Sequence, residues 1–95
     1  MSVEGIEERI KKLLAEKPKY AEILKRAVEH EEEHANEPHY LGWQWHDVRA
    51  WPVELMKLVR EGIAEITYKS RRFTHYALVN RETVKKCLKE VHGLS

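Results

Sequence analysis

Apolar residues recur every three or four positions in three stretches of the chain, which is the spacing that predicts amphipathic helices. These stretches are residues 3–14, 20–28 and 84–91. Lys17 and Pro18 separate the first two, because proline disfavours helix at the residue before it. The predicted stripes consist of Val3, Ile6, Ile10, Leu13 and Leu14, of Tyr20, Ile23, Leu24, Ala27 and Val28, and of Val84, Cys87, Leu88 and Val91.

Residues 51–79 change from helical spacing to alternation. Pro52 suits the first position of a helix, and Gly62 suits the left-handed residue that closes one. The apolar positions of this helix are Leu55, Leu58 and Val59. Alternating residues then predict two strands of a β-hairpin, joined by a polar tip. One face is predicted to carry Ala64, Ile66 and Tyr68 on the first strand, and Thr74, Tyr76 and Leu78 on the second.

Residues typical of helix ends frame these elements. Ser2 and Asn80 are predicted N-caps, and Gly93 is predicted to end the last helix. From Glu29 onward the apolar positions stop while helix-forming residues continue. This pattern predicts a solvated helix end that frays near Asn36.

The segment between the second helix and the hairpin unit gives weaker signals. Leu41, Trp43 and Trp45 alternate, which predicts a short strand beside the hairpin. Asp47 is a suitable cap for a short helix that reaches Trp51.

The stretch LVREGIAEITYKSRRFTHYALV resembles the second half of a winged helix-turn-helix domain. The resemblance covers about residues 18–92 when the earlier helices are counted. It implies an α+β fold, a winged helix-turn-helix with an additional N-terminal helix and a C-terminal helix. Residues 1–95 would then form one domain, with an accessory helix at 1–17, a core at 18–79 and a final helix at 80–95. The short helix that begins at Asp47 would be the first of the helix-turn-helix pair.

The resemblance further implies DNA binding, by a small transcriptional regulator or an accessory domain of a nucleic-acid machine. In that family the helix before the hairpin usually enters the major groove, and the hairpin tip contacts phosphates or the minor groove. Lysine and arginine neutralise phosphates, hydroxyls bond them, and arginine can read guanine. Candidate contacts are Lys69, Ser70, Arg71, Arg72, Thr74 and His75 at the hairpin, with Lys57, Arg60 and Arg49 on or beside the helix. The alternative is a solvated turn whose charges protect the sheet edge.

Charge is distributed unevenly along the 95 residues. Residues 1–47 carry 7 Lys or Arg against 11 Asp or Glu, whereas residues 48–95 carry 10 against 5. The overall charge of +1 therefore hides a basic second half, which favours a polyanionic partner. The predicted partner is double-stranded DNA, with a homodimer built on the stripes of the first and last helices as a further expectation. Two glutamates on the candidate recognition helix, Glu54 and Glu61, oppose phosphate binding.

Composition restricts the class of protein further. The high content of Glu, Lys and Arg is typical of thermophiles, and no apolar run is long enough to span a membrane. A charged N-terminus and a single cysteine, Cys87, predict a reducing, cytoplasmic location without a disulfide. No phosphate-binding loop or recognisable catalytic set is present in the sequence. We therefore expect a protein that is not an enzyme and needs no cofactor.

The tryptophans have two possible uses, which are stacking on unpaired bases and closing a small core. Core packing is favoured for Trp43 and Trp51, and partial exposure for Trp45. An alternative to DNA binding is a protein-interaction module on the same fold. Its binding surface would be this tryptophan-rich segment or the acidic helix end.

Residues 30–34 satisfy the H-E-x-x-H spacing of zinc proteases, in which two histidines share a helix face. His30 and His34 are therefore candidate metal ligands. The surrounding glutamates differ from the apolar setting of such sites, and no further ligand pattern follows. A solvated, charged helix is the favoured interpretation.

Overall fold

The computed structural model describes residues 3–92, and the side chains of residues 5–90. This part contains four helices and one two-stranded antiparallel sheet, so the predicted α+β class is confirmed. The elements are α1 (Val3–Glu16), α2 (Lys19–Glu33), α3 (Pro52–Arg60), β1 (Ala64–Lys69), β2 (Thr74–Leu78) and α4 (Arg81–His92). The predicted cap at Ser2, the helix end at Gly93 and the side chains of Val3 and Val91 lie outside the described residues. None of the described helices is long and apolar enough to cross a membrane.

The three predicted stripes meet in one core. Helix α1 packs against α4 and α2, while α3 packs against β1. The buried stripe residues are Ile6, Ile10, Leu13, Leu14, Tyr20, Ile23, Leu24, Ala27, Val28, Val84, Cys87 and Leu88. Burial also raises the pKa of the Cys87 thiol, as expected for a core cysteine. Because the stripes of α1 and α4 are covered within the chain, neither is available as the dimer surface that the resemblance implies.

Local signals correctly predicted the end of α3 and the start of α4. Gly62 has φ of 74°, and the Ile63 N–H after it donates to the Leu58 carbonyl at 3.0 Å. Ile63 is buried beneath the end of α3. At the start of α4, the Asn80 side-chain oxygen accepts the Thr83 N–H at 3.1 Å, which is an N-cap bond.

A register shift in the hairpin overturns one predicted face. Ile66 pairs with Tyr76, but Tyr68 pairs with His75, so Thr67 is an extra residue in β1. Such a bulge reverses the side on which the following residues point. Tyr68 therefore shares a face with His75, where its ring meets the histidine ring edge-on, and the prediction that it shares a face with Ile66 is wrong.

The predicted strand at residues 41–45 is reduced to one pair. Trp43 and Tyr76 exchange two backbone hydrogen bonds of 2.9 and 2.8 Å, which adds a single-residue bridge along β2. Gly42 makes this approach possible, because it has φ of 122° and a Cβ there would collide with the Tyr76 carbonyl. The Thr67 hydroxyl donates to the Leu41 carbonyl and holds the same segment from the other strand.

The short helix predicted from Asp47 to Trp51 is wrong. Residues 45–49 form a turn that the Ala50 N–H closes on the Trp45 carbonyl at 3.0 Å. Arg49 has φ of 53°, which a right-handed helix cannot accommodate. Asp47 instead accepts the N–H of Gln44, three residues upstream, at 2.9 Å.

The end of α2 is less solvated than its charges predict. Helix α2 ends at Glu33, but Glu31 is buried against the sheet. One Glu31 oxygen accepts the Trp43 indole N–H at 2.9 Å and the Leu78 backbone N–H at 2.7 Å. The prediction of a protruding helix end is therefore wrong on this face, because Glu31 is the acceptor that joins α2 to two other segments.

Candidate nucleic-acid interface

The hairpin tip is an ordered turn with two arginines at its centre. The Ser70 N–H donates to the Phe73 carbonyl at 2.7 Å, and the Phe73 N–H donates to the Ser70 hydroxyl at 3.0 Å. Ser70 is therefore occupied by the turn rather than free for a phosphate. Arg71 and Arg72 are exposed between these two residues, as is Lys69 before them.

The cations of the tip differ from most cations on the helices. Helical cations with a carboxylate within 4.0 Å are Lys11, Lys19, Arg26, Lys57, Arg81, Lys85 and Lys86. Among the described side chains, no carboxylate lies within 4.0 Å of Lys69, Arg71 or Arg72. The tip therefore carries positive charge that the protein does not compensate locally.

Thr74 and His75 are placed less favourably for a ligand. Thr74 is half-buried and pairs with Lys69 across the hairpin. The His75 Nδ1 lies 3.0 Å from the Gly42 carbonyl, and it must carry the proton there because a carbonyl only accepts. The imidazole consequently fixes the segment around Gly42, and the His75 side chain is half-buried.

The candidate recognition helix α3 presents a mixed surface. Leu55 and Leu58 are buried, while Val53 and Arg60 are exposed. The Lys57 ammonium lies 4.0 Å from the Glu61 carboxylate, so its charge is partly compensated. Val53, Lys57 and Arg60 line a groove beside the start of α2, together with the Lys19–Glu54 ion pair. Of the predicted contacts on α3, Arg60 is the one without a carboxylate within 4.0 Å in the described structure.

Glu54 has a structural role at the start of α3. Its carboxylate accepts the Trp51 backbone N–H at 2.9 Å and forms an ion pair with Lys19. The hydrogen bond from Lys19, and next the one from Trp51, hold the pKa of Glu54 below its usual range. Glu54, which the sequence predicts to oppose phosphate binding, is thus already paired with a lysine.

Arg49 lies with two exposed tryptophans rather than with α3. It is exposed and lines a hollow whose walls include Trp45 and Trp51. The two indole rings are stacked, with planes 9° apart and centroids 6.3 Å apart. Trp45 is 47% exposed, which agrees with its predicted partial exposure.

The predicted burial of Trp51 is wrong, because its side chain is 68% exposed. The predicted burial of Trp43 is confirmed. Val48 and Ala50 are buried, whereas Arg49 and Trp51 are exposed. This alternation places Trp51 on the outer side of the segment, and the order Val-Arg-Ala-Trp was the available signal for it.

The two candidate metal ligands are engaged with protein groups. His30 Nδ1 lies 2.7 Å from the Tyr40 hydroxyl, and His34 Nδ1 donates to the His30 carbonyl at 2.7 Å. The two imidazoles stack with centroids 4.4 Å apart. Within the described residues, no three His, Cys, Asp or Glu side chains form a group that could hold a metal ion. Glu31, which would be the base of a zinc protease, instead binds Trp43 in the core.

Tyr40 completes this histidine cluster. Its ring stacks on that of His34 with centroids 5.0 Å apart. Burial, followed by the nearby carboxylates of Glu31 and Asp47, raises the pKa of the Tyr40 hydroxyl. The hydroxyl therefore stays protonated at neutral pH, and the cluster connects the end of α2 to the segment that carries Trp43.

Comparison with known proteins gives no relative for this arrangement. No protein-family model matches the chain, and neither the curated proteins nor the solved structures include a significant match.

Proposed function

We propose that the chain is a nucleic-acid-binding domain that anchors the phosphates of double-stranded DNA through its hairpin tip. The observation that carries this proposal is the group Lys69, Arg71 and Arg72, which we call the basic tip. These cations are exposed, sit on an ordered turn and have no carboxylate within 4.0 Å among the described side chains. Each phosphate neutralised by such a cation releases a bound counterion, which drives association.

The order of the elements supports a winged-helix arrangement. Helix α3 leads through Gly62 into β1, and β2 lies between β1 and the bridge at Trp43. A winged helix has the same succession of a recognition helix and a hairpin wing, with a short third strand on the far side of the hairpin. The first helix of the helix-turn-helix pair is replaced here by the turn at residues 45–49.

The division of charge between tip and helix suggests how binding would work. The basic tip would supply backbone anchoring, which carries no sequence information by itself. Arg60 is the cation of α3 best placed to add a contact, since Lys57 is close to Glu61. We infer a domain whose affinity comes mainly from the wing, as in an accessory domain of a nucleic-acid machine or a regulator of limited specificity.

The test is a fluorescence-anisotropy titration of a random-sequence DNA duplex at several salt concentrations. Three phosphate contacts predict a log–log slope of about −2.7, at about −0.9 per phosphate. The variant Arg71→Ala/Arg72→Ala should bind weakly, with a slope reduced to about −0.9.

The matched control is Lys12→Ala/Lys25→Ala, which removes two exposed or half-buried helical cations that also have no carboxylate within 4.0 Å in the described structure. It lowers the net charge by the same amount as Arg71→Ala/Arg72→Ala. If the tip is the binding site, the control should nevertheless leave the slope unchanged. An equal loss in both double variants would mean that net charge alone attracts DNA. Absence of binding at low salt would refute the proposed function.

A further inference from the structure

The surface formed by Trp45, Arg49 and Trp51 lies outside the basic tip. Two stacked indoles are unusual on a protein surface, because water disfavours large exposed apolar groups. Trp51 is 68% exposed and Trp45 is 47% exposed, and their planes differ by only 9°. This parallel pair therefore presents a flat aromatic surface to solvent.

The charge beside this surface is positive. Arg49 has no carboxylate within 4.0 Å among the described side chains. Asp47, the nearest acid in sequence, accepts the Gln44 N–H at 2.9 Å and lies 3.7 Å from both His30 and His46. Glu54, which follows Trp51 by three residues, is paired with Lys19. Both acids are thus bonded to other groups of the protein, and the charge of Arg49 is available to bind a ligand.

The backbone at Arg49 adds a second observation. Its φ of 53° is unfavourable for a residue with a Cβ. The conformation occurs inside the turn closed by Ala50 and Trp45, and it allows Val48 and Ala50 to be buried while the arginine is exposed. The chain therefore maintains a strained residue at the position that puts a cation beside the two indoles.

We propose that Trp45 and Trp51 form a stacking platform for an unpaired nucleobase, with Arg49 bound to the adjoining phosphate. A nucleotide matches the surface because it combines a flat aromatic base with an anionic group. A cationic ligand, which also binds to aromatic faces, would be repelled by Arg49. The proposal rests on the proposed function and deepens it, since it names as substrate a duplex that continues into a single-stranded segment.

The test compares three DNA probes of identical duplex sequence by anisotropy. One is blunt, one carries an overhang of six thymidines, and one carries an overhang of six abasic sites with the same charge. The wild-type protein should bind the thymidine overhang about 5- to 150-fold more tightly than the abasic one, given the energy of stacking one base. The abasic and blunt probes should differ much less.

Substitutions then locate the effect. Trp51→Ala should abolish the preference for the thymidine overhang without changing affinity for the blunt duplex, whereas Trp51→Phe should retain most of it. Arg71→Ala/Arg72→Ala should weaken the binding of all three probes and leave the preference for the thymidine overhang intact. The exposure of Trp51 makes it a site at which substitution should leave folding unaffected.

The outcomes separate the platform from the basic tip. Equal binding of the thymidine and abasic overhangs, with blunt-duplex binding still dependent on Arg71 and Arg72, would overturn the platform and leave the proposed function standing. An unchanged preference in Trp51→Ala would also overturn it. A failure to bind any probe at low salt would refute both, and would leave a protein partner as the occupant of the tryptophan surface.

Discussion

Two tryptophans of this chain are each held by a glutamate, yet one is buried and the other exposed. Glu31 accepts the indole N–H of Trp43 at 2.9 Å, and the ring is fully buried. Glu54 accepts the backbone N–H of Trp51 at 2.9 Å, and that ring is 68% exposed. The difference lies in which N–H the carboxylate binds. A bond to the indole holds the ring in the core, whereas a bond to the backbone starts a helix and does not constrain the ring, which stacks on Trp45 instead.

The partners of the two carboxylates follow the same division. Glu31 is buried and also accepts the Leu78 N–H at 2.7 Å, so it joins α2, the Trp43 segment and β2. The Glu54 side chain is 11% exposed, close to the 10% of Glu31, but it is paired with Lys19, whose side chain is 63% exposed. A buried carboxylate must be hydrogen-bonded to be tolerated, and two N–H donors meet that need. We therefore expect the pair of Glu31 and Trp43 to contribute most to stability. The pair of Glu54 and Trp51 is expected to keep an aromatic ring exposed at the surface.

Trp43→Ala should have the largest effect on stability. It removes a fully buried indole and one of the donors to Glu31, so the free energy of unfolding should fall by about 3–5 kcal/mol. Urea denaturation followed by circular dichroism would measure the loss. Trp43→Phe is the control that keeps an aromatic ring without its N–H, and it should cost less. A loss below about 1 kcal/mol for Trp43→Ala would contradict the assignment of this residue to the core.

Glu31→Gln should have the second-largest effect on stability, because it keeps the shape of the side chain but removes its charge. The bonds from Trp43 and Leu78 are then no longer charge-assisted, and Arg81, at 3.9 Å, loses its ionic partner. We expect a loss of about 1–3 kcal/mol in the free energy of unfolding. Glu33→Gln is the matched control, since Glu33 is exposed on the same helix. Equal effects of the two substitutions would show that Glu31 has no special role.

This comparison also shows how far the sequence could predict the fold. The apolar stripes of the helices, the glycine end of α3 and the Asn80 cap depend on neighbours within a few residues. Their patterns are therefore visible in the sequence. The burial of Glu31 depends on Leu78, which is 47 positions away. No local pattern distinguishes such a glutamate from its solvated neighbours in the run at residues 29–33.

The candidate site likewise has features that a local pattern predicts and features that it does not. A polar run between two strands is enough to predict an exposed hairpin tip, and Arg71 and Arg72 are exposed there. The orientation of Tyr68 depends on a bulge, and that of Trp51 on a turn that contains a left-handed Arg49. The bulge adjoins two contacts of the Gly42 segment with the hairpin, from Thr67 to Leu41 and from His75 to Gly42, which link residues more than 25 positions apart. Tertiary contacts of this kind override local propensity.

Glu54→Gln should have a smaller effect, and one that depends on pH. The pKa of Glu54 is lowered in the folded state, mainly by Lys19, so its stabilising contribution is complete above the unfolded pKa, near 4.3. The contribution is lost as the pH falls through the lower, folded pKa. At pH 7 we expect a cost of about 0.5–1 kcal/mol, which is typical of a carboxylate in the first turn of a helix. Measuring the melting temperature of both proteins from pH 7 to pH 2 should show the difference shrinking below pH 4.

The control for this prediction is Glu82→Gln, which removes an exposed carboxylate from the first turn of α4. In the described structure it has no cation within 4.0 Å, so its removal should change the melting temperature at pH 7 less than Glu54→Gln does. A difference between wild type and Glu54→Gln that stays constant down to pH 2 would contradict the sign derived from the lowered pKa.

Trp51→Ala should have the smallest effect on stability, below about 1 kcal/mol, although it removes the same number of atoms as Trp43→Ala. Most of the ring already contacts water, and the contact that disappears is the stack on Trp45. Urea denaturation of the two alanine variants under identical conditions tests the comparison directly. A loss from Trp51→Ala as large as that from Trp43→Ala would mean that the ring is covered in solution. Such cover would have to come from another copy of the chain, so the loss should then depend on protein concentration. A small loss independent of concentration is the result expected if the indole is exposed and available to a ligand.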